Sequence, residues 1–278
     1  MSLNLEPRNP ELEVANAAGS QPERNNGDGH GGDNRPMPVP DGGTGLVTVS
    51  HPRSMLSEAY RDLRTSLSFA RLDQTVKSVL VTSAGPGEGK STTVSNLAVT
   101  MAQAGHSVIV IDADLRRASI DRRFGLSNQF GLTNALFDPD NYHLYVRSTA
   151  VDKLRVLTSG PLPPNPSELL GSERMAGLLA ELEERYDFVL FDTAPIGSVS
   201  DALVLSPRVD GVLLVVHAGG LPREVVRRVK GKLDQANAQI LGVVLNKVDI
   251  EREQPYYYYY NYSSYYAYPE QPRPTPGA

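Results

Sequence analysis

The chain has 278 residues, of which 40% are hydrophobic, enough for one domain of roughly 200 residues with tails. A net charge of −5 gives no general basic field, so we expect no nucleic-acid partner. The lack of cysteine excludes a disulfide framework, a thiolate metal site and a cysteine nucleophile. Residues 1–14 lack the basic-then-apolar order of a signal peptide, and apolar runs such as 211–218 are shorter than the ~20 residues that span a bilayer. We therefore expect a cytoplasmic protein that reaches a membrane only through a partner.

Composition divides the chain into three segments. Residues 1–44 are rich in Pro, Gly, Asn and Asp and have almost no apolar periodicity, which predicts a disordered N-terminal extension. Residues 45–252 alternate apolar runs with helical patterns and predict one domain. Residues 253–278 are a low-complexity, tyrosine-rich segment that we expect to be a flexible tail.

Within the central segment, apolar patterns predict repeated strand–helix units. A helical stripe of Leu56, Tyr60, Leu63 and Leu67 comes first, and a strand at 76–82 and a helix from about Lys90 follow it. Further strands are predicted at 107–111, 154–158, 187–191, 211–216 and 240–245, with a helix at 172–184. Continuous apolar runs suit strands buried on both faces. The predicted fold class is therefore α/β, a mostly parallel sheet sandwiched by helices as in P-loop NTPases, with its ligand site at the carboxyl ends of the strands.

A Gly-rich loop, SAGPGEGKST at 83–92, follows the first predicted strand and opens a helix, which is the context of a Walker A loop. Small residues let backbone N–H groups surround phosphate oxygens, and the helix N-terminus adds partial positive charge. Lys90 is expected to reach the β- and γ-phosphates of ATP, and the Ser91 hydroxyl to bind Mg²⁺. The strict pattern has Gly where this chain has Ala84, so neighbouring glycines must supply the flexibility. The predicted nucleotide-binding residues are Gly85, Gly87, Glu88, Gly89, Lys90, Ser91 and Thr92, with Asn246 near adenine.

Three carboxylates follow two other predicted strands. VIVIDAD at 108–114 ends in Asp112 and Asp114, and FVLFDTAP at 188–195 contains Asp192. Carboxylates beside a phosphate loop suit Mg²⁺, which prefers oxygen ligands. We predict Asp192 as the Walker B acid, Asp112 as proton acceptor and Asp114 as part of the metal shell, so that Lys90 and these acids form the catalytic set. An acid after a strand is also commonly a turn residue or helix cap, and the division of roles between Asp112 and Asp114 stays open.

Two arginines, Arg116 and Arg117, follow the first pair of acids. They suit either contact with phosphate or a place on the surface, and the sequence favours neither interpretation.

Nine of the thirteen tyrosines lie within residues 256–268. Each phosphotyrosine adds about −1.5 to −2 charges, so full phosphorylation would strongly change a chain now at −5. A segment of this kind also occurs as an aromatic low-complexity stretch used for adhesive contacts. The predicted phosphoacceptors are Tyr256, Tyr257, Tyr258, Tyr259, Tyr260, Tyr262, Tyr265, Tyr266 and Tyr268.

The second Walker-like box VIVIDADLRR, the segment GPLPPNPSELL at 160–170 and the tyrosine tail together resemble the bacterial tyrosine kinases of capsule and exopolysaccharide synthesis. The resemblance covers about residues 53–268. It implies an ATP- and Mg²⁺-dependent kinase that phosphorylates its own tail and so regulates polysaccharide synthesis or export. It also implies the split form of the family, activated by a separate membrane protein, a polysaccharide co-polymerase.

The stretch EAYRDLR at 58–64 matches the family's E-x-x-R-x-x-R oligomerisation motif, which implies a ring of subunits with each tail entering a neighbour's site. Its residues are Glu58, Arg61 and Arg64. Read from spacing alone, the same residues are a solvated helix face with an i,i+3 ion pair.

The sequence also suggests three other functions. A ParA/MinD-like ATPase switch for positioning or partitioning would have a lysine where this chain has Gly85, and would lack the tail. A GTPase is suggested by N-K-x-D at 246–249, but the box at 192–195 reads D-T-A-P where a GTPase has D-x-x-G. A catalytically silent scaffold is opposed by the intact Lys90 and its acids.

Overall fold

The computed structural model describes residues 45–70 and 75–249. Seven strands form one sheet in the order β3-β4-β2-β5-β1-β6-β7. All neighbouring strands are parallel except β3 and β4, which are antiparallel. The expected mostly parallel α/β fold is thus confirmed. The strands are β1 (Ser78–Ser83), β2 (Val108–Asp112), β3 (Arg147–Ser148), β4 (Leu154–Leu157), β5 (Phe188–Asp192), β6 (Gly211–His217) and β7 (Ile240–Asn246).

Helices and short 3₁₀ turns connect the strands and cover both faces of the sheet. The 3₁₀ segments are Pro139–Leu144 and Ser206–Arg208. The α-helices are α1 (Val47–Ser50), α2 (Met55–Ser68), α3 (Lys90–Gln103), α4 (Ile120–Phe124), α5 (Leu132–Phe137), α6 (Pro166–Leu170), α7 (Glu173–Arg185), α8 (Asp201–Leu205) and α9 (Arg223–Gln235).

Two apolar cores lie on opposite faces of the sheet because alternate strand residues point to opposite sides. Leu80, Ile109 and Phe191 belong to one core, which α5 to α9 cover. Val79, Val110 and Leu190 belong to the other, which contains residues of α2, α3 and α4. Every residue of β1 and β2 is buried, as the continuous apolar runs predicted. This double burial fixes the carboxyl ends of β1, β2 and β5 side by side.

The predicted strands and helices agree with the structure to within about two residues at most ends. The short β3 was not predicted, because Arg147–Ser148 carries no apolar run to mark it. In α2, Leu67 is buried as expected, but Leu56 is 59% exposed and lines a groove beside β7 instead of the core. No helix among the described residues is long and apolar enough to cross a membrane. The predicted N-terminal extension at 1–44 and the tail at 253–278, with all nine predicted acceptor tyrosines, lie outside the described residues.

Candidate active site

The predicted phosphate loop connects the end of β1 to the start of α3. Gly87 and Gly89 adopt positive φ angles of 75° and 102°, which glycine tolerates without steric cost. A Cβ atom built on Gly89 would lie 2.0 Å from Asn246 Nδ2, whereas one on Gly87 would meet nothing within 4 Å. The loop therefore needs glycine at position 89 for both conformation and space, and at position 87 for conformation alone.

Side chains from three elements hold this loop in place. Glu88 is 2% exposed, and its Oε2 accepts a hydrogen bond from Gly85 N at 2.8 Å while Oε1 accepts one from His217 N at 3.3 Å. Asn246 Nδ2 donates to the Glu88 carbonyl at 2.8 Å, and Lys247 Nζ donates to the Gly87 carbonyl at 2.7 Å. Thus the Glu88 side chain turns into the protein, and Asn246 at the end of β7 lies against the loop. Sequence reasoning did not assign a role to Lys247, although the N-K-x-D match marked its position.

We predict that Gly89→Ala weakens nucleotide binding far more than Gly87→Ala. Both substitutions carry the cost of a positive φ, on the order of 1 kcal/mol. Only Gly89→Ala also forces Asn246 away from the loop. Isothermal titration calorimetry with a nucleotide should show about tenfold or greater loss of affinity for Gly89→Ala and a smaller loss for Gly87→Ala. Equal losses in the two variants would contradict the assigned contact.

Lys90 lies among the predicted carboxylates. Its Nζ donates to Asp114 Oδ2 at 2.9 Å and to Ser91 Oγ at 3.2 Å, and it lies 3.5 Å from Asp192 Oδ1. Burial alone would lower the pKa of Lys90, but the negative charges of Asp192 and Asp114 outweigh burial and raise the pKa. The ammonium group therefore stays charged at the N-terminus of α3.

Asp112 and Asp192 are direct neighbours across the β2–β5 pairing, and both are fully buried. Asp112 Oδ2 accepts hydrogen bonds from Ser119 N at 2.9 Å and Ile120 N at 3.0 Å, at the start of α4. Burial and the charge of Asp192 raise the pKa of Asp112 to about 7, although the backbone N–H donors oppose the shift. The predicted alternative of an acid that fixes a turn therefore applies to Asp112 alongside any catalytic role.

The carboxyl of Asp192 also has a shifted pKa. Burial raises its pKa, and the nearby Lys90 opposes that shift. Among the described residues, its Oδ2 atom is buried and has no hydrogen-bond partner. A buried carboxylate oxygen without a partner costs free energy and indicates a ligand-facing position.

We predict that the nucleotide-free protein becomes less stable as the pH rises from about 5 to 7. In that range the carboxyl of Asp112 is ionised in the unfolded chain, whose pKa is near 3.8, but stays protonated in the folded chain until about pH 7. Wild type should lose on the order of 2 kcal/mol of unfolding free energy over this range relative to Asp112→Asn. Denaturant unfolding at several pH values measures this, and parallel curves for the two proteins would contradict it.

Arg116 and Arg117 take different positions. Arg116 Nε and Nη2 donate to the two oxygens of the buried Asp201 at 2.8 and 3.2 Å, and Ser167 Oγ donates to the same carboxylate. Within the described residues, Arg117 contacts an acid through its backbone N alone, which donates to Asp114 Oδ1 at 3.0 Å. Arg116 thus ties the loop after β2 to the start of α8 and to the predicted 160–170 segment. Sequence reasoning missed Asp201, whose place in the first turn of a helix looks like ordinary capping.

The predicted oligomerisation residues all make contacts within the chain. Glu58 Oε1 and Arg61 Nη1 form an ion pair at 2.6 Å, and Arg61 Nη2 also donates to the Pro52 carbonyl. Arg64 Nη1 donates to the Thr100 carbonyl of α3 at 2.9 Å. The i,i+3 pair of the simpler interpretation is therefore present, and the oligomerisation role stays a prediction.

These features define a nucleotide-binding P-loop protein. The family model of the CobQ/CobB/MinD/ParA nucleotide binding domain matches residues 79–261, and the chain belongs to that family. Within it, the chain is one of the bacterial tyrosine-protein kinases, as the sequence resemblance implied. The tyrosine-protein kinase YwqD of Bacillus subtilis (strain 168) is 42% identical over 213 residues, which are 77% of this chain and 90% of YwqD.

Solved structures agree with this assignment. The kinase domain of the Escherichia coli tyrosine kinase ETK matches with a TM-score of 0.70 and 38% identity, over 73% of this chain and 80% of that one. The chimerical protein CapA2B2 matches with a TM-score of 0.71 and 39% identity, over 74% of this chain and 90% of that one.

Proposed function

We propose that the protein transfers the γ-phosphoryl group of ATP, with Mg²⁺, to tyrosine hydroxyls of its own C-terminal tail. The observation that carries this proposal is the convergence of Lys90, Asp112, Asp114 and Asp192 at the N-terminus of the helix that follows the phosphate loop. Phosphoryl transfer needs positioning and charge neutralisation more than covalent chemistry by the protein, and this cluster supplies both.

Lys90 is assigned to the β- and γ-phosphates. Its ammonium group is kept charged by Asp192 and Asp114, and it sits at the start of α3, where backbone N–H groups also favour an anion. Phosphate oxygens would compete with Asp114 for Lys90, and that exchange would leave the Asp114 carboxylate available to the metal shell. Gly85, Gly87, Glu88, Gly89 and Thr92 are assigned to the nucleotide through the loop backbone, and Asn246 to the adenine side.

The donor set fits Mg²⁺. Ser91 offers a hydroxyl, Asp114 a carboxylate, and Asp192 the buried oxygen without a hydrogen-bond partner among the described residues. In the described ranges no three His, Asp or Glu side chains form a metal site by themselves. Mg²⁺ usually binds through one or two carboxylates together with substrate phosphates and waters, so such a set is sufficient. When bound, the ion would neutralise charge on the β- and γ-phosphates.

Asp112 is assigned to the acceptor side of the reaction. A tyrosine hydroxyl has a pKa near 10 and needs a base close by as it attacks. Asp112 is the neighbour of Asp192 on the adjacent strand and is the carboxylate of the cluster that Lys90 does not contact directly. We therefore propose Asp114 for the metal shell and Asp112 for the acceptor side.

Assembly and partners are proposed from the family. Glu58, Arg61 and Arg64 on α2 would contribute to a ring of subunits, with each tail entering a neighbour's site. A separate membrane protein of polysaccharide synthesis would activate the kinase at the inner face of the membrane. The support is the E-x-x-R-x-x-R match and the likeness to CapA2B2, which is a chimerical protein.

A mixing experiment tests both the reaction and the direction of transfer. One chain keeps its active site but has phenylalanine at the nine acceptor positions, and the other is Lys90→Met with an intact tail. After incubation with ATP and Mg²⁺, mass spectrometry should find phosphotyrosine between Tyr256 and Tyr268 of the Lys90→Met chain. ATP hydrolysis without tail phosphate, also in the presence of a candidate activator's cytoplasmic segment, would contradict the proposal and favour the ATPase switch.

A further inference from the structure

The outward face of α9 carries basic residues that the candidate site does not use. The helix holds five basic and two acidic residues, a balance of +3 in a chain of net charge −5. Val229 and Leu233 are buried against the sheet, which turns the basic side chains to solvent. Four exposed residues make up what we name the α9 basic face: Arg223, Arg227, Arg228 and Lys232.

Positive charge on this face is only partly compensated within the described part of the chain, because Glu224 lies three and four residues before Arg227 and Arg228 but forms no ion pair with them there. None of the four residues forms an ion pair there, whereas the neighbouring Lys230 pairs with Asp234 at 2.8 Å. Arg223 and Arg227 are four residues apart, as are Arg228 and Lys232, and like charges at that spacing destabilise a helix. An anion bound along the face would relieve this repulsion.

We propose that the α9 basic face binds the phosphotyrosines of the chain's own tail after they have been formed. This rests on the proposed function, because the kinase reaction creates the ligand. Arginine suits the ligand, since its planar guanidinium donates two parallel hydrogen bonds to phosphate. Docking of the phosphorylated tail would keep the product away from the phosphate loop and so limit further rounds of transfer.

β7, the last strand of the described residues, ends close to where α9 begins. Asn246 at the end of β7 pairs with His217 at the end of β6, and α9 starts six residues after His217. Tyr256 is seven residues beyond Asp249, so an extended chain reaches about 25 Å. The 13 residues of α9 span about 20 Å, which lies within that reach.

Charge makes the docking conditional on phosphorylation. Residues 250–278 contain three acidic and two basic residues, so the unmodified tail has little attraction for a cationic helix. Each phosphotyrosine adds about −1.5 to −2 charges and three acceptor oxygens. The same chemistry predicts that binding weakens as salt increases, because both partners are exposed to solvent.

A peptide titration tests the surface without relying on the kinase reaction. A labelled synthetic peptide of residues 253–268, with phosphotyrosine at positions 256, 260 and 265, is titrated with the full chain in the absence of ATP, and fluorescence anisotropy is measured. Arg227→Gln/Arg228→Gln should weaken binding about tenfold or more. The charge-matched control Arg174→Gln/Arg185→Gln, on α7, should stay within about twofold. Wild-type chain whose own tail is already phosphorylated should bind the peptide weakly, because its face is occupied.

Several results would overturn the inference: unchanged binding by Arg227→Gln/Arg228→Gln, equal binding of the unphosphorylated peptide, or undiminished binding by the phosphorylated chain. Vesicles containing phosphatidylglycerol provide the alternative anionic surface. Vesicle binding that depends on Arg227 and Arg228, without affinity for the phosphopeptide, would assign the face to membranes and overturn the proposal. Peptide binding by a chain that never phosphorylates its tail would refute the proposed function while the recognition by α9 stands.

Discussion

Lys90→Met should abolish phosphotyrosine formation, lowering the rate by about a thousandfold or more. The substitution removes the cation that would neutralise the transferred phosphoryl group in a site shielded from water, where such charges matter most. It also leaves Asp114 and Asp192 without their shared ion-pair partner, whose side chain is only 11% exposed. Single-turnover assays with radiolabelled ATP measure the rate, and denaturant unfolding shows whether the variant still folds.

Two further variants separate charge from position in this experiment. Lys77 lies just before β1, at the amino ends of the strands and away from the candidate site, and its Nζ donates to the Glu183 carbonyl. Lys77→Met should therefore leave the rate within about twofold of wild type. Lys90→Arg keeps a positive charge among the carboxylates but not the compact ammonium group, so it should regain stability without regaining most of the rate. If the Lys90→Met variant phosphorylated the tail at nearly the wild-type rate, Lys90 would have no role in the reaction.

Arg116→Ala should destabilise the protein by about 2 kcal/mol. Asp201 has no solvent exposure, and without Arg116 its charge would keep only the Ser167 hydroxyl as a side-chain partner among the contacts described above. Loss of one partner of a fully buried pair typically costs 3–5 kcal/mol, and the Arg116 side chain is 41% exposed, so we expect a smaller cost of about 2 kcal/mol. Denaturant unfolding at pH 7 measures the difference.

A double-mutant cycle identifies the cause. Asp201→Asn removes the buried charge with little change in shape, so Arg116→Ala/Asp201→Asn should be no less stable than Arg116→Ala. Arg117→Ala is the matched control, because only its backbone contacts an acid, and it should change stability by less than about 0.5 kcal/mol. Additive effects of the first two substitutions would show that the Arg116–Asp201 contact is not what stabilises the loop.

Local patterns were enough to predict the phosphate loop and the carboxylate pair. The loop was identified because a strand, a Gly-rich turn and a helix follow one another within a short stretch. Asp112 and Asp192 are 80 residues apart, yet both directly end apolar runs, and parallel strands bring their carboxyl ends to one edge. The sheet order was not predicted, because it depends on which strands pair and not on any single run.

Contacts between loops could not be predicted from the sequence. Arg116 and Asp201 are separated by 85 residues, and each looked ordinary in its own segment. Glu88 is predicted to bind the nucleotide because it lies inside the motif, but the sequence does not show that its side chain accepts hydrogen bonds from Gly85 and His217. Such pairings arise from the three-dimensional packing of loops, which periodicity does not record.

The buried Glu88 side chain indicates that the phosphate loop takes its final conformation before a nucleotide binds. Glu88 Oε2 accepts a hydrogen bond from the Gly85 N–H, and Asn246 donates one to the Glu88 carbonyl. These bonds fix the conformation of the loop once the chain has folded. Hydrogen–deuterium exchange at Gly85 should therefore be slow before any ligand arrives and should change little afterwards. Because the loop is already ordered in the folded chain, nucleotide binding would carry little further cost in conformational entropy. Closure of the loop would then not limit the association rate of the nucleotide.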